Sequence, residues 1–397
     1  MESTTHQAPR HRKALRRLVK RRRAEPIAGD WLSRCLMTME PVRKLMRRRP
    51  RSFGNFCLAC ATLLTSPALS DEAGPGQRAP DAAGVLEEVV TVATKKGGAE
   101  AAKDVPAAIS VIDGESMALR QTTDIEDLSY ALPNVALDGI GTGKGIANFS
   151  IRGLGVSGSI PSIDPTVGVF VDGVYLGVNY GVIVDMMDLE AMEVLRGPQG
   201  LLFGRNVTGG AVLLRSRRPS GGRSASASAR LETGIDSRVA ASAEGSLAGG
   251  TVNARLSAQF RNDDGWFAND APGAGRMGAD RTWQVRGVAT LAPSETFDLT
   301  LIHERGDTDS DGPATQNRRR FSGFDLAIDE PGYSRIDWSA VTVEANRRVQ
   351  FGNGRVTNIF GWRTVEHHSL ADVDGTTSPI FHLFGYTDQS QVSNELR

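Results

Sequence analysis

Three short motifs have spacings that could support metal or phosphate chemistry. Asp307-x-Asp309-x-Asp311-Gly312 begins like an EF-hand calcium loop, but Arg318 stands where the twelfth position needs Glu. Gly141-x-Gly143-Lys144 lacks the spacing and the hydroxyl of a phosphate-binding loop. His367-His368 could bind a metal, but adjacent side chains on a strand point to opposite faces. The sequence therefore predicts no catalytic centre and no metal site.

The cysteines all lie in an N-terminal leader, residues 1–70. Residues 1–51 carry 16 Lys and Arg against 4 Asp and Glu, and residues 52–70 carry no charge. A basic region, an apolar run too short to cross a membrane as a helix, and small residues before the cut at Ser70 are typical of a secretory signal peptide. Cys57-x-x-Cys60 lies inside the apolar run, so a redox or metal role is not expected.

The length of the basic region leaves two interpretations open. Met46 would begin a leader of ordinary size, so residues 1–45 are either a long basic region or follow a mis-assigned start. A nucleic-acid-binding arm is the rival interpretation of the Arg-rich run. The export signal directly downstream disfavours that interpretation, and no nucleic-acid partner is expected.

Residues 71–103 form a tether that carries one short β-branched run. Residues 71–84 are small, polar and rich in Pro and Gly, as in a flexible linker. The run that follows is Glu87-Glu88-Val89-Val90-Thr91-Val92-Ala93. Such a run suits pairing with a free strand edge of a partner, in which main-chain hydrogen bonds give the affinity. The alternative is that it forms the first strand of the domain behind it.

Residues 104–219 alternate short apolar runs with Gly, Pro and Asn breaks, which predicts a compact α+β domain. A short helix is predicted at 124–131, ended by Pro133. Asp172-Gly173 predicts a tight hairpin turn. Strands are predicted at 109–112, 135–137, 149–152, 167–171, 174–176, 191–195 and 211–215.

Residues 220–397 change to an alternation of apolar and polar residues. In 251–261, Val252, Ala254, Leu256, Ala258 and Phe260 alternate with polar side chains, so one face suits lipid and the other a wet lumen. Strands are predicted near 224–233, 237–247, 251–262, 281–292, 296–306, 338–350, 354–366 and 387–397. Tight turns alternate with long polar connections, as in transmembrane β-barrels.

A barrel of eight strands is too narrow to hold a second domain. About 22 strands enclose a plugged lumen, whereas eight leave room for side chains only. The chain also stops inside a predicted strand. The expectation from the sequence is therefore the first part of a longer plugged barrel, with about eight of about 22 strands.

Three ordered motifs in residues 104–219 resemble the plug domain of TonB-dependent outer-membrane receptors. They are Phe149-Ser150-Ile151-Arg152-Gly153, Phe170-Val171-Asp172-Gly173-Val174-Tyr175, and the run from Glu193-Val194-Leu195-Arg196-Gly197-Pro198-Gln199-Gly200 through Phe203-Gly204-Arg205-Asn206 to Gly209-Gly210-Ala211-Val212. The run at 87–93 is similar to a TonB box.

The resemblance implies active uptake of a scarce nutrient across the outer membrane of a Gram-negative cell, with no enzymatic activity and no cofactor. The implied partners are the TonB energy transducer complex, outer-membrane lipid and the ligand. A ferric siderophore is the expected cargo, and cobalamin, a nickel complex or an oligosaccharide are alternatives. A passive porin and an exported hydrolase are rivals of different classes. The porin is disfavoured because a diffusion channel needs neither a plug nor a segment, such as the run at 87–93, that couples it to the TonB complex.

The resemblance also implies roles for particular residues. The Gly-rich loops of 138–148 and 154–166 would form the apex of the plug that faces the ligand. The ligand-binding residues expected there are Gly141, Thr142, Lys144, Asn148, Ser157 and Ser159. Arg152 and Arg196 end plug strands, and similar arginines pair with barrel glutamates. Because a buried Arg needs a carboxylate partner, these two are expected to hold the plug in place.

Overall fold

The structure is a computed structural model that describes residues 90–91, 95, 100–122, 124–139, 145–156, 163–182, 186–204, 206–232 and 236–397. All of them fall in one compact unit. The predictions for the leader, for residues 87–89 and 92–93, and for Gly141, Thr142, Lys144, Ser157 and Ser159 lie outside the described residues. No helix in these ranges is long and apolar enough to span a membrane.

The N-terminal half is an α+β domain. Its strands are β1 (Val90–Thr91), β2 (Glu100–Ala101), β3 (Ala108–Asp113), β4 (Val135–Ala136), β5 (Ser150–Ile151), β6 (Val167–Val171), β7 (Val174–Tyr175), β8 (Leu189–Arg196) and β9 (Gly210–Ser216). Strand β1 pairs with β2, and β4 pairs with β5. The central sheet has the order β3-β8-β9-β6-β7, and only β6 and β9 run parallel in it.

The helices of this domain are short. Helix α1 (Gly114–Leu119) begins at Asp113, whose carboxylate accepts the Ser116 N–H at 2.7 Å. Helix α2 is Gly200–Phe203. The helix predicted at 124–131 is a 3₁₀ helix, Glu126–Ala131. Because Pro133 leaves room for little more than one turn, tight bonds such as Leu128 N–H to Ile125 O replace an α-helical ladder. Single 3₁₀ turns also occur at Ala102–Asp104, Ala248–Gly250 and Phe351–Asn353.

Two glycine positions explain why the plug motifs need glycine. At the β6–β7 hairpin, Asp172 and Gly173 have φ of 49° and 82°, the conformation of a type I′ turn. At the start of β9, Gly210 has φ of 156°, and a Cβ there would lie 2.3 Å from the Leu195 carbonyl oxygen. The backbones of β8 and β9 therefore approach more closely than any side chain would permit.

The rest of the described chain is dominated by strands. They are β10 (Ser224–Leu231), β11 (Asp236–Leu247), β12 (Val252–Asp263), β13 (Phe267–Asn269), β14 (Arg276–Met277), β15 (Asp280–Ser294), β16 (Phe297–Ser310), β17 (Asp325–Leu326), β18 (Tyr333–Arg348), β19 (Arg355–Asp372) and β20 (His382–Leu396). Eight of them form one antiparallel sheet in the order β10-β11-β12-β15-β16-β18-β19-β20. The eight predicted barrel strands are thereby confirmed.

The large sheet has its apolar face outward. On β12, Leu256 and Phe260 are exposed by 59% and 45%, whereas Ser257 and Gln259 are buried. The polar residues face the α+β domain, and the apolar residues face away from it, as a transmembrane barrel wall requires. Several strands are longer than predicted. The β19–β20 ladder, for example, continues to the pair Asp372–His382, because polar residues keep pairing beyond the lipid-facing band.

Candidate functional site

The described part of the predicted coupling run is attached to the plug. Strand β1 pairs with β2 through Val90 opposite Ala101 and Thr91 opposite Glu100. The Thr91 side chain is fully buried, and its hydroxyl donates to Glu193 Oε2 at 2.5 Å. Glu193 lies on β8, and its other oxygen is 3.7 Å from the Arg215 guanidinium. A backbone ladder and one buried hydrogen bond therefore hold this segment against the central sheet.

Lys95 connects the same segment to the barrel wall. Its Nζ lies 2.7 Å from Glu395 Oε1 on β20 and 4.6 Å from the centre of the Phe203 ring on α2. Burial lowers the pKa of Lys95, and the hydrogen bond to Glu395 only partly offsets this effect. A cavity of about 300 Å³ between the plug and strands β18 and β19 is lined in part by Lys95 and Glu193. Lys95 thus lies at the interface between the plug and the barrel wall.

An ionic network between plug and barrel centres on Asp188. Arg255 of β12 donates to both carboxylate oxygens, at 2.6 and 2.8 Å, and Ser257 donates to one of them. Arg255 also donates to Glu244 on β11 at 3.1 Å. Burial of Asp188 opposes its ionisation, but the bonds from Arg255 and Ser257 outweigh burial, so the pKa of Asp188 lies below its usual value. This network holds the chain just before β8 to the wall.

Other barrel side chains bind plug backbone. Arg286 on β15 donates to the Met187 carbonyl and also pairs with Glu304. Arg363 on β19 donates to the carbonyls of Tyr180 and Gly181 at 3.0 and 2.9 Å. Both guanidinium groups are buried. The turns of the plug present carbonyls that no ladder uses, and the barrel supplies the donors that satisfy them.

Gln391 on β20 makes a matched pair of bonds to the end of the plug hairpin. Its amide nitrogen donates to the Tyr175 carbonyl at 2.5 Å, and its amide oxygen accepts the Gly177 N–H at 2.8 Å. One side chain therefore satisfies an acceptor at the end of β7 and a donor two residues further along the plug backbone.

The two arginines expected to join plug and barrel lie elsewhere. Arg196 donates to Ser110 Oγ at 2.9 Å, which is a contact inside the plug sheet. Its pKa is lowered by burial and by the charge of Arg152. Arg152 is exposed and has φ of 55°. Within the described ranges, the carboxylate–arginine contacts between plug and barrel include Asp188 with Arg255 and Arg218 with Glu344, the latter at 2.9 Å.

Of the residues expected to bind ligand at the apex, the structure describes Asn148. Its N–H donates to the Asp138 carbonyl at 2.8 Å, and its neighbour Ala147 bridges to Gly139. The two ends of the first Gly-rich loop are therefore fastened together. None of the plug–barrel partners found here, such as Asp188, Gln391 or Arg363, was predicted from the sequence, because their partners are far away along the chain.

Comparison with known proteins finds relatives of the plug domain. Residues 101–211 match the model of the TonB-dependent Receptor Plug Domain. The pesticin receptor of Yersinia pestis is 26% identical over 214 residues, covering 53% of this chain and 30% of that protein. The ferrichrome outer membrane transporter/phage receptor of Escherichia coli K12 is 29% identical over 118 residues, covering 29% of this chain and 15% of the transporter.

Solved structures agree with this fold. The ferric yersiniabactin uptake receptor from Yersinia pestis superposes with a TM-score of 0.66 at 20% identity, over 73% of this chain and 45% of that one. The ferripyoverdine receptor of Pseudomonas aeruginosa gives 0.63 at 16% identity, over 78% and 41%. The chain thus spans less than half the length of these relatives.

The plug domain and the antiparallel barrel wall beside it define a plugged-barrel fold. Its plug domain is similar to the plug domain of TonB-dependent receptors, a family of transporters and receptors. Residues 101–211 are its plug domain.

Proposed function

We propose that this chain is part of an outer-membrane receptor that takes up a ferric siderophore with energy delivered by the TonB complex. The observation that carries the proposal is the attachment of β1 to the plug. Through the β1–β2 ladder and the Thr91–Glu193 bond, a pull on the N-terminal segment reaches the central sheet directly. This proposed function involves no covalent reaction.

The character of the plug–barrel interface supports movement of the plug. Many of the contacts are ion pairs and hydrogen bonds, such as Asp188 with Arg255 and Arg218 with Glu344, beside an apolar contact of Tyr180 with the wall. Water in the lumen can replace such contacts one at a time, whereas an apolar interface would have to be exposed as a whole. The plug keeps its own apolar core. A shift of the plug therefore need not disrupt the strand pairing of the barrel wall.

The relatives support the choice of cargo. Their names include a ferrichrome transporter, a ferric yersiniabactin receptor and a ferripyoverdine receptor, and each of these carries or binds an iron complex. The ligand would enter from the outer side and meet the Gly-rich apex, including Asn148. Arg196 would then stabilise the plug from within, since it joins β8 to β3 through Ser110.

The coupling role is tested by a proline at position 90. Val90→Pro removes a backbone donor and disfavours strand pairing, so uptake of an iron-loaded siderophore should be abolished while its binding affinity stays unchanged. Val90→Ile is the control: it keeps the backbone N–H and a β-branched side chain, so this variant should take up the siderophore like the wild type. Normal uptake by Val90→Pro would refute the coupling role, and loss of binding would show a folding defect instead.

A protonophore separates active uptake from a passive pore. Uptake by the wild-type receptor should stop when the proton gradient across the inner membrane collapses, whereas diffusion through a porin would continue. Ferric hydroxamate, ferric catecholate and cobalamin should be compared in the same assay. Preferential uptake of cobalamin would contradict the cargo and leave the coupling role intact.

A further inference from the structure

Three metal-ligating side chains meet at the outer end of the barrel wall. Asp372 and His382 are directly opposite each other in the last pair of the β19–β20 ladder. Asp329, from the connection that precedes β18, lies with its Oδ1 3.3 Å from His382 Nε2. One ligand atom from each of the three lies within 4.8 Å of the other two.

The Asp372 carboxylate gives an independent sign that a cation belongs here. Asp372 is 1% exposed. Its Oδ1 accepts the Gly375 N–H at 2.9 Å, but its Oδ2 is buried without a hydrogen-bond donor. A buried carboxylate oxygen with no donor is costly, and the nearest side-chain groups include the carboxylate of Asp329. A metal ion bound between the two acids would give the buried Asp372 oxygen a partner and would offset the repulsion between the two carboxylates.

The backbone around the three residues is fixed by other contacts. The Asp329 N–H donates to the Thr376 carbonyl at 3.2 Å, and Thr315 donates to the Asp372 carbonyl at 2.6 Å. Asp374, the next acid along the chain, already accepts the N–H groups of Thr376 and Phe381. The scaffold therefore exists without the metal, and Asp374 is committed to shaping the β19–β20 turn.

The ligand set favours a transition metal over calcium. Calcium prefers six to eight oxygen ligands, whereas two carboxylates and an imidazole are a common set for Zn²⁺. Tetrahedral Zn²⁺ at about 2.0–2.1 Å from each ligand needs ligand atoms about 3.4 Å apart. Asp329 and His382 already meet this spacing, and the Asp372 oxygen needs to move by about 1.5 Å at most.

We propose that Asp329, Asp372 and His382 form a binding site for a divalent transition-metal ion of the Zn²⁺ class. The ion would join the outer connection 311–332 to the β19–β20 hairpin. The fourth position would be taken by water. The site would be a structural clamp on the outer face, separate from the plug and from the cargo.

Titration with Zn²⁺ alone tests the site. The receptor is purified in detergent, stripped with a chelator, and titrated by calorimetry at pH 7.5. We expect one tight Zn²⁺ site in the wild type and at least about tenfold weaker binding in Asp372→Asn and His382→Ala. His368→Ala is the matched control, because His368 pairs with Glu366 at 2.9 Å on the same strand but has no third ligand within the described residues. It should bind Zn²⁺ like the wild type.

Several outcomes would overturn the proposal. Equal Zn²⁺ affinity in the wild type and His382→Ala would refute the site, and so would tighter binding of Ca²⁺ than of Zn²⁺. If His382→Ala does not fold, Asp329→Asn takes its place, since Asp329 is at the surface. A trypsin assay tests the clamp: Zn²⁺ should slow cleavage at the exposed Arg318–Arg320 in the wild type but not in the site variants. Cleavage unaffected by Zn²⁺ in the wild type would refute the clamp.

Discussion

At the scale of single residues, the plug is held mainly by donors that come from the barrel. Arg255, Arg286, Arg363 and Gln391 all project from the wall toward plug carboxylates or carbonyls. The sequence predicted that plug arginines would donate to barrel carboxylates. Arg218 of the plug does so with Glu344 of the wall. The plug turns have unpaired carbonyls in a confined lumen, so donors in the wall are required wherever water is excluded.

Asp188→Asn should weaken the attachment of the plug. The substitution removes the charge that Arg255 binds with two hydrogen bonds, and the side chains of Asp188 and Arg255 are only 14% and 10% exposed. We expect a loss of about 2–3 kcal/mol in the free energy of unfolding, measured with urea in detergent. Asp309→Asn is the control, because its pair with Arg335 is 57% exposed on both sides and should contribute less than about 1 kcal/mol. Equal losses in the two variants would contradict this ranking.

The same carboxylate should make the plug sensitive to acid. The pKa of Asp188 is lower in the folded protein than the value of about 3.9 for a free Asp. Its stabilisation is therefore complete above about pH 4–5 and is lost as the pH falls through the folded pKa. Unfolding followed from pH 7 to pH 2 should show a smaller acid-dependent loss in Asp188→Asn than in the wild type. Identical pH profiles would rule out a contribution from this residue.

Gly306 makes room for a buried tryptophan. Gly306 and Trp338 are opposite each other on β16 and β18, and a Cβ at Gly306 would lie 2.1 Å from the Trp338 ring. Gly306→Ala should displace Trp338 from its bond to Glu304 and destabilise the wall by about 1–3 kcal/mol. Gly287→Ala, on the neighbouring strand with no atom within 4 Å of the new Cβ, should have little effect. A shift in Trp fluorescence with Gly306→Ala alone is the expected readout.

At the scale of elements, the sequence was most informative where one periodic pattern is sustained. The eight barrel strands follow from the alternation of apolar and polar residues, which is set by lipid on one side and water on the other. Helix α1 was missed because six residues that begin with Gly114 carry no helical periodicity, and its signal is the Asp113 cap alone. The Asp188–Arg255 pair could not be predicted, since it depends on how a strand 67 residues away wraps around the plug.

The Asp329, Asp372 and His382 cluster was missed for a similar reason. The sequence motifs considered for metal binding were His367-His368 and the acidic run at 307–311, whose members lie close together along the chain. In the structure His367 is buried against Tyr180 and His368 lies on the opposite face beside Tyr386. The cluster instead combines a pair of residues at the end of the β19–β20 ladder with Asp329 from the connection before β18. Spacing along the sequence cannot show that these three residues are close in space.

Thr91 should control how readily the coupling strand is released. Thr91→Val removes the hydroxyl that donates to buried Glu193, and a bond to a charged group contributes about 1.5–3 kcal/mol. The docked strand should therefore be weakened, so that a soluble fragment of the transducer binds the ligand-free receptor about tenfold more tightly or better. Thr357→Val, which removes a hydroxyl bonded to Asn346 within the wall, is the control. Equal transducer affinity in Thr91→Val and the wild type would contradict the role of this bond.

At the scale of the whole molecule, the two domains are built on different physical principles. The plug has an internal apolar core that includes Leu137, Ile151 and Met192, all buried. The wall instead exposes its apolar residues, such as Val239 and Leu301, and depends on strand pairing. Their interface combines ion pairs and hydrogen bonds with an apolar contact, in which Tyr180 of the plug packs against Ile336, Trp338 and Val365 of the wall. The plug should therefore behave as a separate cooperative unit that is held in the wall but not fused to it.

Urea should consequently unfold the plug before the wall. In the receptor in detergent, the amides of β3, β6, β8 and β9 should exchange together at a lower urea concentration than those of β15, β16, β18 and β19. Trp fluorescence follows the wall separately, because Trp266, Trp283, Trp338 and Trp362 all lie there and residues 101–219 contain no Trp. Asp188→Asn should lower the first transition and leave the second in place. A single transition common to both sets of amides and to fluorescence would show that plug and wall share one cooperative core, and a transducer pulling on β1 would then have to disrupt the barrel itself.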